Sequence, residues 1–172
     1  MYEIKQFFKR IYNLYRWLPV IWKDQDWDQF YIYEILKFKL KNQAEYIGNK
    51  DRHVNAKRDA EKMMLCVRLI DKIQEDFYGT ECFSYSKTEQ FFIPSKEHPG
   101  SYEWDIKETS NTYYDYFNKY RRIYKQVLET ENTLFRKDSM MGIAINIAHI
   151  NEERAHKLLF KIIQENIRGW WD

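Results

Sequence analysis

His149, Glu152, Glu153 and His156 fall at offsets of three, four and seven, a spacing that sets four metal-capable side chains along one face of a helix. Glu153-Arg154-Ala155-His156 has the Glu-x-x-His form of helical di-iron proteins, in which paired motifs and further inward glutamates enclose two ions. This chain has no second Glu-x-x-His, and the face carrying the four residues lies away from the apolar stripe of its segment. A solvated polar face, or one that meets a partner, is the expected reading, and no metal or cofactor is expected. Magnesium-dependent all-α nucleotide hydrolases set a comparable test. They need paired Glu-x-x-Glu and Glu-x-x-Asp helices, because the ion wants several convergent carboxylates. Glu34, Glu45, Asp59, Glu61 and Asp71 supply charge without that paired spacing.

Two basic segments suit anions better. Arg52, His53, Lys57 and Arg58 surround the start of a helix, where free backbone N–H groups and cations together can clasp a phosphate. A solvated first turn is the competing reading, although cations at that end oppose the helix dipole. The stretch from Tyr116 to Lys125 mixes tyrosine with Arg121, Arg122 and Lys125, a composition able to stack bases. At helical spacing, however, tyrosines 113, 116, 120 and 124 share one side and the cations point elsewhere, the pattern of an amphipathic helix with a charged outer face. Phosphate-binding glycine loops, nucleophile elbows and a catalytic Cys–His context are all missing from the sequence.

The elements that must position these residues are helices. Ile4, Phe7, Phe8, Ile11, Leu14, Tyr15 and Leu18 recur at helical spacing and stop at Pro19. A second helix starts within Asp24–Asp28, where carboxylates can cap it, and its predicted inward stripe is Trp27, Phe30, Tyr31, Glu34, Ile35 and Phe38. A third runs from about His53 to Phe77, a fourth from Tyr113 towards Arg136, and a fifth from a cap at Asp138-Ser139 to about Arg168. Gly142, Asn146 and Asn151 weaken the fifth without ending it. Between them, residues 79–105 lose the helical period around Pro94, Pro99 and Gly100, leaving an irregular insert with room for a small β-hairpin. The expectation is one all-α domain over residues 1–172, about five helices in a bundle.

Composition bounds the function. Of 172 residues, 31 are aromatic (6 Trp, 14 Tyr and 11 Phe), and only five are glycine. The formal charge is +2, which gives no general reason to bind DNA or an anionic membrane. Cys66 and Cys82 form neither a disulfide framework nor a zinc set, as expected in a reducing cytosol. The start of the chain lacks a signal peptide's hydrophobic region, and no stretch reaches the ~20 apolar residues of a membrane span. Surplus rings favour interfaces, where Trp, Tyr and Arg concentrate binding energy. Packing offers the plainer explanation, in which Trp17, Trp22, Trp27, Trp170 and Trp171 fasten the two chain ends.

The string Trp17-Leu18-Pro19-Val20-Ile21-Trp22-Lys23-Asp24-Gln25-Asp26-Trp27-Asp28, with Glu34 to Leu40, Ala155 to Phe160 and the terminal Trp170-Trp171-Asp172, resembles a group of uncharacterised accessory proteins of tailed bacteriophages. That resemblance implies a non-enzymatic protein of the infected cell's cytoplasm that blunts host defence. The expected form is a homo-oligomer that sequesters a small nucleotide messenger, with Trp22, Trp27, Arg52, His53, Lys57, Arg58, Arg154 and His156 as ligand-binding residues. The alternative is a protein–protein inhibitor of a host defence or transcription protein, anchored by the Trp17–Asp28 corner. An all-α magnesium-dependent nucleotide hydrolase is a further alternative.

Overall fold

A computed structural model describes residues 2–24, 27–49, 54–131 and 133–170. By its internal contacts the chain forms two compact units, Met1–Gln74 with Leu158–Asp172, and Glu75–Lys157. The first holds α1 (Tyr2–Ile21), α2 (Gln29–Gly48), α3 (Ala56–Gln74) and the C-terminal part of α7 (Met140–Asn166). The second holds α4 (Phe77–Thr80), a 3-10 turn (Glu81–Tyr85), strands β1 (Ser86–Pro94) and β2 (Tyr102–Asn111), α5 (Tyr113–Lys119), α6 (Arg121–Glu129) and the remainder of α7.

The expected all-α bundle of about five helices is overturned. Among the described residues there are seven α-helical segments and a two-stranded antiparallel sheet. Three local causes account for the difference. The third helix ends at Gln74, and two residues later Asp76 adopts a left-handed backbone with φ 49°, which resets the chain direction before α4. The fourth breaks at Tyr120, with φ −112° and ψ 38°, into α5 and α6. The irregular insert gives way to strands of nine and ten residues that reach Asn111.

In the first unit α2 packs on α3, and Leu40, Ala44, Ile47, Met63, Cys66 and Ile70 are buried. Asp28 caps α2, its carboxylate accepting from the Phe30 N–H at 2.8 Å. The inward stripe differs from expectation: α2 buries Leu40, Gln43, Ala44 and Ile47, while Phe30 and Ile35 stay exposed. The fully buried residues of α2 lie in its C-terminal half. Pro19 sits inside α1 and does not end it; the Trp22 N–H closes the next turn on the Leu18 carbonyl at 2.9 Å. So near a helix end, a proline forfeits one bond without breaking the run. Lys62 donates to Asn166 and Trp170 is buried, so the chain's last residues belong to this unit.

The core of the second unit is Cys82, Tyr113, Tyr116, Phe117, Ile123, Val127, Ala144, Ile147 and Ala148. Ser139 caps α7, its hydroxyl accepting from the Gly142 N–H at 3.0 Å. Asn146, read from sequence as a weak point, is instead a clasp. It donates to the Phe135 carbonyl at 2.9 Å, accepts from the Phe135 N–H at 3.2 Å and ties the preceding loop to α7. Lys137 donates to the carbonyls of Val127, Leu128 and Thr130, satisfying the open end of α6.

Candidate functional site

The eight expected ligand-binding residues divide between the units. Trp22, Trp27, Lys57 and Arg58 lie in the first, Arg154 and His156 in the second, and Arg52 and His53 fall outside the described residues. Trp22 and Trp27 flank the α1–α2 turn and are 81% and 82% exposed. Their tryptophan neighbours behave otherwise: Trp17 is half-buried and meets the Phe38 ring edge-on at 4.7 Å, and Trp170 is buried. Packing therefore accounts for Trp17 and Trp170 and leaves Trp22 and Trp27 unexplained. Lys57 and Arg58 project from the first turn of α3, where the Arg58 guanidinium lies 3.7 Å from the buried Asp59 carboxylate.

Several carboxylates singled out for metal work, Glu34, Asp59, Asp71 and Glu153, lie beside cations. Lys37 lies 2.5 Å from Glu34 and 3.2 Å from Asp71, and it donates to Gln74 at 2.8 Å. Burial alone would lower the Lys37 ammonium, yet hydrogen bonds and charge from Glu34 and Asp71 outweigh it and hold the group above its ordinary value. This cluster joins α2 to α3. On α7, Glu153 sits 3.4 Å from His149 and 2.7 Å from Lys157. The Lys157 hydrogen bond, then its charge, then that of His149 hold the Glu153 carboxyl below the ordinary carboxylate range. These contacts are an i, i+4 ladder along one helix face. Among the described residues, no three His, Cys, Asp or Glu side chains converge as a metal site.

A cleft of about 140 Å³ in the second unit is lined by Gln126, Val127, Thr130, Thr133, Asn146 and His149, among others. Small-molecule sites run to roughly 300–1,000 Å³, so a nucleotide exceeds this cleft. A stronger polar feature is the Glu81 side chain, only 8% exposed, which accepts from the Tyr120 hydroxyl at 2.6 Å and from Lys119. Burial, then the Glu81 hydrogen bond, raises the Tyr120 phenol above its ordinary value. Glu81 thereby holds the side chain of the residue at the α5–α6 break and is occupied structurally.

Where the sequence left room for a small β-hairpin within residues 79–105, the structure has a ribbon of nine- and ten-residue strands that reaches Asn111. In its register Phe92 pairs with Trp104 and Pro94 with Tyr102, and directly paired residues share a face. Phe92, Trp104 and Tyr102 are 72%, 60% and 67% exposed. The connecting turn is well tied. Ser95 N–H donates to the Ser101 carbonyl at 2.9 Å, its hydroxyl donates to Glu103 at 2.5 Å, and Gly100 takes the left-handed φ of 92° that the turn requires. Large rings are thus held in water by a pinned hairpin rather than folded under it. Period-two alternation in Tyr102-Glu103-Trp104-Asp105 was the available signal.

Comparison of the chain with protein-family models, with characterised proteins and with solved structures finds no match.

Proposed function

We propose that this protein is a non-enzymatic binder that blocks a protein partner through the aromatic face of its β-ribbon. The setting we propose is the one implied by the resemblance: a tailed-phage accessory protein acting on a host protein in the host cell's cytoplasm. The single supporting observation is the Phe92–Trp104 pair with Tyr102 beside it, three rings exposed on one face of a tied ribbon. Binding hot spots are enriched in tryptophan and tyrosine because such rings bury much area and lose little rotational freedom. Capture of a small nucleotide receives less support, since the cleft of about 140 Å³ in the second unit is smaller than a nucleotide needs. The test is affinity capture from host cells with the full chain and with the double variant Phe92→Ala/Trp104→Ala. A stoichiometric protein partner is expected with the native chain, and its recovery should drop at least about tenfold with the variant. Equal recovery by both, or co-purification of a nucleotide alone, overturns the reading.

A further inference from the structure

The first unit carries an apolar surface of a different kind. Ile4, Phe7, Phe8, Ile11, Leu14 and Leu18 form one stripe along α1, and each is between 45% and 65% exposed. In a surface helix that stripe ordinarily faces the core. Here the side of α1 that touches α2 is a different one: Arg16 donates to Asn42 and Trp17 packs on Phe38. The apolar stripe is left turned outward.

Charge identifies what would cover it. Residues 2–21 hold four cations, Lys5, Lys9, Arg10 and Arg16, against one anion, Glu3, a net +3. The whole chain carries +2, so everything outside α1 sums to −1. The basic excess therefore lies in a helix whose apolar stripe is open. Tyr12 and Tyr15 stand exposed beside the stripe, and Trp22 just beyond the helix end, the ring types enriched at the headgroup level of bilayers. None of the described helices is long and apolar enough to cross a membrane. Lying in its surface is a separate matter. It asks for an amphipathic helix with Phe and Leu on one face and Lys and Arg on the other.

We propose that α1 is an interfacial anchor that lies in the plane of an anionic lipid bilayer, with the Ile4–Leu18 stripe among the acyl chains and its cations at the lipid headgroups. A second copy of the chain is the poorer complement, because pairing two stripes brings one +3 helix against another. Lysine and arginine stems are long enough to carry their charge towards the phosphate level without burying it.

Vesicle co-sedimentation of the full chain tests this, using phosphatidylcholine vesicles with and without phosphatidylglycerol. Binding to the anionic vesicles should exceed binding to the neutral ones by at least about tenfold and weaken as salt is raised. Phe7→Ser/Ile11→Ser, both at exposed positions, should lose at least about tenfold of that binding while circular dichroism and melting temperature stay unchanged. Lys5→Glu/Lys9→Glu should remove the preference for anionic lipid. Phe92→Ala/Trp104→Ala should bind vesicles like the native chain, which separates this surface from the ribbon. Equal binding to both vesicle types, no binding at millimolar lipid, or a dimer in sedimentation that the stripe variant dissolves without any vesicle binding would overturn the proposal.

Discussion

Gly142 occupies a position where the usual helix rule reverses. A glycine inside a helix costs roughly 0.5–1 kcal/mol relative to alanine, so Gly→Ala normally stabilises. At Gly142 an added Cβ would lie 2.0 Å from the Arg136 carbonyl oxygen, a backbone atom that the Asn146 clasp on nearby Phe135 keeps from retreating. Gly142→Ala should therefore destabilise by about 1–3 kcal/mol, as overpacked sites do. A urea midpoint that rises in the variant would contradict the close approach. Sequence alone favours the opposite sign, because the clashing carbonyl belongs to the loop before α7 and not to the helix.

At the scale of elements, Glu81 holds the side chain of the residue at the α5–α6 break. Tyr120→Phe keeps the ring and removes the hydroxyl that donates to the Glu81 carboxylate at 2.6 Å. The variant should lose about 1.5–3 kcal/mol, the range for a hydrogen bond to a charged group, with its helical signal intact. Urea unfolding reads this directly, and a loss below about 0.5 kcal/mol would mean that water replaces the phenol. The break was not legible in sequence, and the carboxylate that holds Tyr120 there lies 39 residues upstream. Caps were legible: Asp28 and Ser139 each act within three residues, and both were read from residue type. The extent of the ribbon was misjudged because Thr88, Glu89 and Gln90 are polar on both faces, so the first strand shows no alternation there and the period-two signal is confined to Tyr102–Asp105. For α1 the period revealed a stripe but could not reveal which way it faces.

Taken as a whole molecule, the fold is built around ionisable groups kept neutral. Burial pushes the Cys66 thiol in one unit and the Cys82 thiol in the other up to about 11, from an ordinary 9.0. Burial likewise raises the Tyr116 and Tyr120 phenols. Unfolding lets these groups release protons that the folded chain retains, so stability falls as pH rises. Their contribution is complete below about pH 9 and declines through pH 11 and above. Melting temperature should fall steadily across that window, and both thiols should resist alkylation at pH 8 until the chain unfolds. A flat melting profile, or rapid labelling of the folded chain, would contradict the burial. The second unit is a continuous segment, residues 75–157, set within the first, whose closing piece is residues 158–172. During synthesis the inserted segment is made before the residues around Leu159 and Trp170 that complete the first unit. The half of the protein made first is thus the last to become complete, and its amphipathic leading helix waits in the open for the longest time.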